Sequence, residues 1–187
     1  MKRLFILISL LFVCALTVNL TGCKETTVTQ ATREGHARTE PNALGSLESF
    51  SFSLTWDNFG ISSYDSTTGK LVKTWRTTKP DDYITTYQLT EEEKLKIYDL
   101  IASLDILSYP DDYSNDEAYT YAPFFTIILS VKTDTVEKTI TAENLPPRYT
   151  SMDKQRNRFL VVCKEISDIL TATEEWEVLP PSEFYHG

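Results

Sequence analysis

The sequence predicts an α+β fold, with an antiparallel sheet of about five strands and two helices packed on one face. Three observations support this prediction. Several short segments alternate apolar and polar residues, two longer segments repeat apolar residues at helical spacing, and the predicted order along the chain is strands, helix, strands, helix. An alternating strand has one apolar face, and amphipathic helices can cover such a face.

The first strand shows the most regular pattern. Between residues 50 and 56 a large apolar residue occupies every second position, and Ser or Thr occupies the positions between them. This period of two is typical of a strand with one face in the core. A turn at residues 57–60 then reverses the chain. The apolar residues of this strand are Phe50, Phe52, Leu54 and Trp56.

A hairpin and a further strand complete the first half of the predicted sheet. Residues 61–64 and 71–75 are β-rich and are joined by a polar connection that contains Gly69. Such a connection is typical of a hairpin. Pro80 interrupts the chain, and residues 83–87 then form the next β-rich segment.

The first helix has a clear N-terminal signal. Thr90 is followed three residues later by Glu93, so each side chain can accept a hydrogen bond from the other residue's backbone N–H. This capping box predicts a helix that ends near Leu107, before Pro110. One apolar stripe is expected to face the sheet, formed by Ile97, Leu100, Ile101 and Leu104.

The second half of the chain repeats the order of hairpin and helix. Residues 125–131 and 136–140 predict a hairpin, and a second helix is expected from about Asp153 to Leu170. Cys163 lies on the apolar face of this helix and is therefore interpreted as a core residue. A nucleophilic thiol would need a nearby base, and the two histidines of the chain are distant in sequence. Residues 176–185 are expected to be extended. Their aromatic residues suggest that the segment packs back on the domain, and exposure of these residues is the alternative.

The N-terminal segment predicts export and lipidation. Lys2 and Arg3 precede an apolar run at residues 4–18, which is shorter than the roughly 20 residues of a membrane-spanning helix. The sequence LTGC at residues 20–23 follows and matches a lipobox. A secretory signal without lipidation is the alternative, but it leaves the position of Cys23 unexplained. Residues 1–22 are therefore expected to be a lipoprotein signal peptide, and lipidated Cys23 is expected to anchor the mature chain in the cell membrane, outside the cytoplasm.

The remaining chain divides into a tether and one domain. Residues 23–46 are polar after the lipidated cysteine and are expected to be a disordered tether, whereas residues 47–187 are expected to form a single globular domain. The signal contains two of the 18 basic residues and none of the 27 acidic ones, which gives the mature chain a formal charge of −11. This charge argues against nucleic acid as a partner.

The sequence lacks the motifs of several common enzyme classes. The six glycines are isolated, so no phosphate-binding loop is expected. Two distant histidines and a core cysteine make neither a zinc site nor a Ser-His-Asp or Cys-His catalytic site. We therefore expect no cofactor, no metal and no enzyme activity.

Carboxylates offer the main alternative to this expectation. The acidic loop from Asp111 to Glu117 could bind calcium, although its spacing does not fit an EF-hand. Acidic doublets also occur at residues 81–82, 111–112 and 174–175, and paired carboxylates serve glycoside hydrolysis. All three doublets are expected to be solvated, so both carboxylates of each doublet should stay ionised. This argues against an acid and a base role within one doublet.

Aromatic residues are concentrated on the first strands and their turns. Such residues can stack on sugar rings or fill a partner protein's surface, although inward-facing ones simply pack in the core. The candidate ligand-binding residues are Trp56, Tyr64 and Trp75.

Three segments of the chain carry a resemblance to a known group. Residues 87–113 read YQLTEEEKLKIYDLIASLDILSYPDDY, residues 137–144 read EKTITAEN, and residues 173–176 read TEEW. These segments resemble small uncharacterised bacterial lipoproteins. The resemblance implies an exported location and one compact domain, and it implies no activity.

These observations favour a binding or interaction module that is attached to the membrane through acylated Cys23 and meets an envelope protein or a glycan. Two alternatives stay open at this stage. One is an envelope hydrolase that uses carboxylates of the acidic loop, with or without calcium. The other is a structural or inhibitory lipoprotein.

The lipidation hypothesis predicts the behaviour of a single variant. Cys23→Ala removes the thiol that accepts the lipid, so labelling with a palmitate analogue should be lost and the precursor should stay uncleaved. Gel mobility and label incorporation in the producing bacterium measure both effects, with Cys14→Ala as the matched control. Persistent labelling of the Cys23→Ala chain would contradict the assignment.

Overall fold

The computed structural model describes residues 44–114, 124–145 and 153–181. These residues form a six-stranded antiparallel sheet with its helices on one face, which confirms the predicted α+β class and adds one strand to the expected five. The strand order is β4-β3-β2-β1-β5-β6. The strands are β1 (Ser51–Trp56), β2 (Ser62–Asp65), β3 (Lys70–Val72), β4 (Ile84–Thr86), β5 (Phe125–Lys132) and β6 (Glu137–Leu145), and the helices are α1 (Glu91–Ala102), α2 (Lys154–Thr171) and the single turn α3 (Glu174–Glu177).

Strand β1 lies in the middle of the sheet and is hydrogen-bonded on both sides. It pairs with β2 and with β5, and both pairings are antiparallel. The predicted alternation is confirmed, because Phe52, Leu54 and Trp56 are buried while the Ser and Thr residues between them are partly exposed. Leu54 faces Tyr64 of β2 and Leu129 of β5, so one row of apolar residues crosses the sheet. This row belongs to the layer that the helices cover.

The tight turn between β2 and β3 depends on a glycine. Gly69 has a positive φ of 70°, and its N–H donates to the carbonyl of Asp65 over 2.8 Å. A Cβ atom at this position would lie 2.7 Å from the carbonyl oxygen of Tyr87, which is closer than such atoms pack. Both the backbone conformation and the neighbouring strand therefore exclude a side chain here.

Helix α1 begins at the predicted capping box. The N–H of Glu93 donates to Thr90 Oγ1 over 3.2 Å, and the N–H of Thr90 donates to Glu93 Oε2 over 2.9 Å. The hydroxyl of Tyr87 also donates to Glu93 Oε2, over 2.5 Å, which connects the helix start to the segment after β4. Burial alone would raise the pKa of Glu93, but the hydrogen bonds from Tyr87 and Thr90 outweigh it and lower that pKa below its ordinary value.

Helix α1 is shorter than the sequence predicted. It ends at Ala102 rather than near Leu107, because Asp105 has a positive φ of 49° that a helix does not accommodate. A short 3₁₀ turn at Ile106–Ser108 replaces the last predicted turn. Ile106 is buried in that turn, so the segment still contributes to the core.

Helix α2 is the main cover of the sheet. It lies against β1, β5 and α1, and Asp153 caps its N-terminus by accepting from the N–H groups of Gln155 and Arg156. Its apolar face follows the spacing of about 3.6 residues per turn that the sequence showed. The buried residues of α2 are Phe159, Leu160, Val162, Cys163, Ile166 and Leu170.

The packed region begins earlier than the predicted boundary at residue 47. Leu44 is only 2% exposed and belongs to the main core. The carbonyl of Gly45 accepts from the Tyr98 hydroxyl over 2.5 Å, and the N–H of Ser46 donates to Asp134 Oδ1 over 3.3 Å. Residues 44–46 thus belong to the domain, whereas residues 1–43, including Cys23, lie outside the described residues.

The far end of the described chain also differs from the prediction. Trp176 was expected in an extended segment, but it lies in α3, where Thr173 caps the helix by accepting from the N–H of Trp176. Trp176 packs on Trp56 with ring centroids 5.7 Å apart, so the expected return of this segment to the domain is observed for this residue. Residues 182–187 lie outside the described residues.

The carboxylate of Glu93 predicts a pH-dependent contribution to stability. A lowered pKa in the folded state means that ionised Glu93 stabilises the fold at pH values above the ordinary Glu pKa, and that this stabilisation is lost as the pH falls through the lowered pKa. Glu93→Gln should therefore reduce the free energy of unfolding by about 1 kcal/mol near neutral pH, because neutral hydrogen bonds are weaker than charge-assisted ones. The difference from the wild type should shrink as the pH falls below 4.

Urea denaturation of the full chain at several pH values measures this effect. Glu92→Gln is the matched control, since it removes the same charge from the same exposed first turn of α1. The assignment would be contradicted by equal pH dependence of the two variants.

Candidate functional site

The structure separates the three candidate ligand-binding residues. Trp56 is 9% exposed and Tyr64 is 1% exposed, whereas Trp75 is 54% exposed. Trp56 and Tyr64 both point to the helix-covered face of the sheet, because they occupy the buried positions in the alternating pattern of β1 and β2. They are core residues in this structure, so of the three only Trp75 is accessible to a ligand.

Tyr64 has a structural role that accounts for its burial. Its hydroxyl donates to the carbonyl of Tyr87 over 3.1 Å, which links β2 to the segment before α1. Burial raises the pKa of Tyr64 to about 12. The phenol therefore stays neutral at physiological pH and acts as a hydrogen-bond donor within the fold.

Trp75 is exposed but its orientation is fixed. It follows β3 at the end of the sheet, and its backbone N–H donates to the carbonyl of Ile61 over 3.2 Å. The indole Nε1 donates to the carbonyl of Gly60 over 3.0 Å. Because both donors of Trp75 are bonded to the β1–β2 turn, the ring keeps one orientation on the surface without losing its exposure.

Arg76 connects Trp75 to Phe59, and Phe59 in turn contacts Phe124. The guanidinium carbon of Arg76 lies 4.7 Å from the ring centroid of Phe59 and 5.9 Å from that of Trp75. The rings of Phe59 and Phe124 meet edge to face with centroids 6.4 Å apart. Contacts of this kind between a guanidinium and aromatic faces are favourable. We call this set the aromatic–arginine cluster, and it comprises Phe59, Trp75, Arg76 and Phe124.

The turn that supports the cluster is strained. Asp57 and Phe59 have positive φ angles of 80° and 59°, in a region that non-glycine residues visit at a cost of about 1–3 kcal/mol each. Two contacts with β5 and the residue before it hold the turn in place. The N–H of Phe59 donates to the carbonyl of Phe124 over 2.7 Å, and the N–H of Thr126 donates to the carbonyl of Asp57 over 3.1 Å. Backbone strain of this type is concentrated at functional sites in proteins.

Sequence reasoning missed Arg76 and Phe124 as members of this cluster. One signal in the sequence points to Arg76. Residues 70–79 read KLVKTWRTTK, so four cations and no acid surround Trp75 in a strongly acidic chain. Phe124 carries no comparable signal, because only the tertiary fold places it beside Phe59.

The described part of the acidic loop is used in structural contacts. Asp111 forms an ion pair with Lys138, and its backbone carbonyl accepts from the N–H of Thr141 over 2.8 Å. Asp112 accepts from the N–H of Ser114 over 2.6 Å, and hydrogen bonds from Ser114 lower the pKa of Asp112. Residues 115–117 lie outside the described residues. Within residues 44–114, 124–145 and 153–181 no group of three or more His, Cys, Asp or Glu side chains is arranged to hold a metal ion.

The groove between α1 and α2 brings several carboxylates to one place. It encloses about 640 Å³ and is open to solvent. Glu93 contributes to its wall, but the carboxylate of Glu93 is already used in the capping box. The lining therefore has an acidic character without a buried pair of carboxylates in different environments. The charged residues of the lining are Glu92, Glu93, Lys96, Glu165 and Asp168.

Cys163 is a core residue, as the sequence predicted. It is 1% exposed, and burial raises the pKa of its thiol far above the ordinary value. A thiol of this kind is not ionised at physiological pH and does not act as a nucleophile.

Comparisons with known proteins add no assignment. The chain matches no model of a protein family, no curated protein and no solved structure. Among the described helices, none combines the length and apolar character that a bilayer span requires.

Proposed function

We propose that the protein is a lipid-anchored, extracytoplasmic binding module that uses the aromatic–arginine cluster to bind a partner in the cell envelope. One observation carries this proposal. Trp75 is 54% exposed, yet its indole is held by a hydrogen bond to Gly60 and lies beside Arg76. An exposed Trp beside an Arg is typical of binding hot spots, and a fixed ring loses little conformational entropy when a ligand binds.

The position of the cluster supports this function. Gly45 and Ser46 lie beside the β5–β6 turn, at the end of the sheet where β1 begins. The cluster lies at the other end, where β1 stops at Trp56, and the six residues of β1 span about 20 Å. If the preceding residues lead to a lipid on Cys23, the tether enters at one end of the domain and the cluster is presented at the opposite end.

The remaining described residues support binding more than catalysis. Asp111 is paired with Lys138, Asp112 closes a local turn, and Cys163 is buried within the core. Arg76 contacts the rings of Phe59 and Trp75 but forms no ion pair with a described residue, and Trp75 stays 54% exposed. The exposed ring and the guanidinium are therefore groups that a ligand can reach at this end of the sheet.

The proposal predicts a site-specific cross-link in cells. A photoreactive amino acid at Thr78, two residues after Arg76 and exposed, should form a discrete adduct with the envelope partner when the full-length anchored protein is irradiated. Trp75→Ala in the same chain should remove the adduct, because the ring anchors the partner. Electrophoresis followed by mass spectrometry identifies the product.

Thr68 provides the matched control, since it is an exposed threonine in the β2–β3 turn at the opposite end of the sheet. A photoreactive residue at this position should not give the same adduct. The proposed function would be rejected if position 78 gave no adduct, if positions 68 and 78 gave the same products, or if Trp75→Ala left the adduct unchanged.

A further inference from the structure

The guanidinium of Arg76 is the most informative charged group of the cluster. It is exposed and lies over the ring of Phe59, and within the described residues it has no ion pair and no hydrogen bond from its side chain. The chain has 27 acidic residues against 18 basic ones, so carboxylate partners are abundant. The backbone instead directs Arg76 to the cluster, since its N–H donates over 3.1 Å to Oγ1 of Thr74, which is 2% exposed.

The contact with Phe59 leaves the hydrogen-bond donors of Arg76 available for a ligand. A guanidinium stacks through its flat face, whereas its five N–H donors lie in its plane and point outward. The donors can therefore bind an anion while the stack holds the group in place. A planar carboxylate is the acceptor that fits two parallel N–H donors.

Trp75 defines the other half of the ligand. Its Nε1 already donates to Gly60, so the indole offers a ligand its apolar face and no hydrogen bond. Sugar rings present C–H groups on their flat faces, which pack on such an aromatic surface. The guanidinium carbon lies 5.9 Å from the centroid of Trp75, so a ring on the indole and a carboxylate on Arg76 are neighbouring positions.

We propose that the aromatic–arginine cluster binds an acidic glycan, in which a sugar ring stacks on Trp75 and its carboxylate pairs with Arg76. This inference rests on the proposed binding function and names the chemical class of its ligand. Arg76 supplies a positive charge for such a ligand on a protein that is otherwise acidic.

The small size of the cluster favours a glycan over an acidic protein segment. A specific protein interface buries about 800 Å² on each partner and is centred on several apolar anchors. Leu95 and Val161 are also exposed apolar residues, but they lie on α1 and α2 and are not part of the cluster. One exposed indole and one guanidinium without an ion pair among the described residues match the size and chemistry of a single acidic sugar unit.

The test uses three probes that separate ring stacking from charge. Trigalacturonate has rings and carboxylates, its fully methyl-esterified form has the same rings without charge, and triglutamate has carboxylates without rings. Isothermal titration of the full-length chain in a neutral detergent should show binding of trigalacturonate. The methyl ester and triglutamate should bind at least tenfold more weakly. The indole ¹⁵N–¹H resonance of Trp75 should shift, while those of buried Trp56 and partly buried Trp176 should not.

Variants of the full-length chain test the role of each residue. Trp75→Ala and Arg76→Gln should each weaken binding of trigalacturonate at least tenfold. Trp75→Phe and Arg76→Lys, which preserve a ring and a charge, should weaken it less. The matched controls are Val161→Ala, which truncates a side chain that is also 54% exposed, and Lys132→Gln, which removes an exposed charge at the opposite end of β1. Both controls should stay within twofold of the wild type.

Each contrary result has a defined meaning. Equal affinity for triglutamate and trigalacturonate would overturn the glycan assignment in favour of an acidic protein segment. The inference would be overturned if none of the three probes bound. It would also be overturned if trigalacturonate bound equally well to the wild type and to all four variants at Trp75 and Arg76. The proposed binding function is judged separately, because a protein adduct at position 78 would support it even when the glycan inference fails.

Discussion

The packing of the inner face of β1 is the constraint on which the rest of the structure depends. β1 is hydrogen-bonded to β2 and β5 and lies against α2, so the positions of three other elements depend on it. Phe50, which directly precedes β1, meets Tyr98 of α1 edge to face, and Trp56 packs on Trp176 of α3. Because side chains alternate along a strand, a shift of one residue would move Leu54 and Trp56 from the core to the solvent.

The same strand determines where the candidate binding surface forms. Since Trp56 must point to the core, the chain leaves the sheet at Asp57 and reverses within four residues through a strained turn. That turn places Phe59 against Phe124 and directs the carbonyl of Gly60 to the indole of Trp75. The exposed cluster is thus a consequence of the buried strand beneath it, and the cost of the strained turn is offset by the cooperative stability of the sheet.

Local sequence patterns predicted much of the fold. The alternation around Leu54, the capping box of Thr90 and Glu93, and the core position of Cys163 all depend on neighbours within one element. One error concerns a contact between distant segments. Leu44 is an isolated apolar residue in a polar stretch, and only the folded chain brings it to the core.

The candidate site was harder to predict for the same reason. Trp56 and Trp75 are both aromatic residues near turns. Trp56 occupies a buried position of the central strand β1, whereas Trp75 lies beyond the end of β3 at Val72. The contact of Arg76 with Phe59 joins two loops that only the pairing of β1, β2 and β3 brings together. A sequence pattern identifies the residue types, whereas sheet register decides which of them reach solvent.

Equilibrium unfolding of Trp56→Ala and Trp75→Ala tests most directly whether Trp56 is a core residue and Trp75 a surface residue. Both substitutions remove the same side chain, but only Trp56 belongs to the buried face of β1. Trp56→Ala should lower the free energy of unfolding by about 3–5 kcal/mol, because it leaves a cavity in the core. Trp75→Ala should lower it by at most about 1 kcal/mol, the contribution of one exposed hydrogen bond. Equal losses in the two variants would contradict the account, because Trp75 would then be a structural residue and not a surface held ready for a ligand.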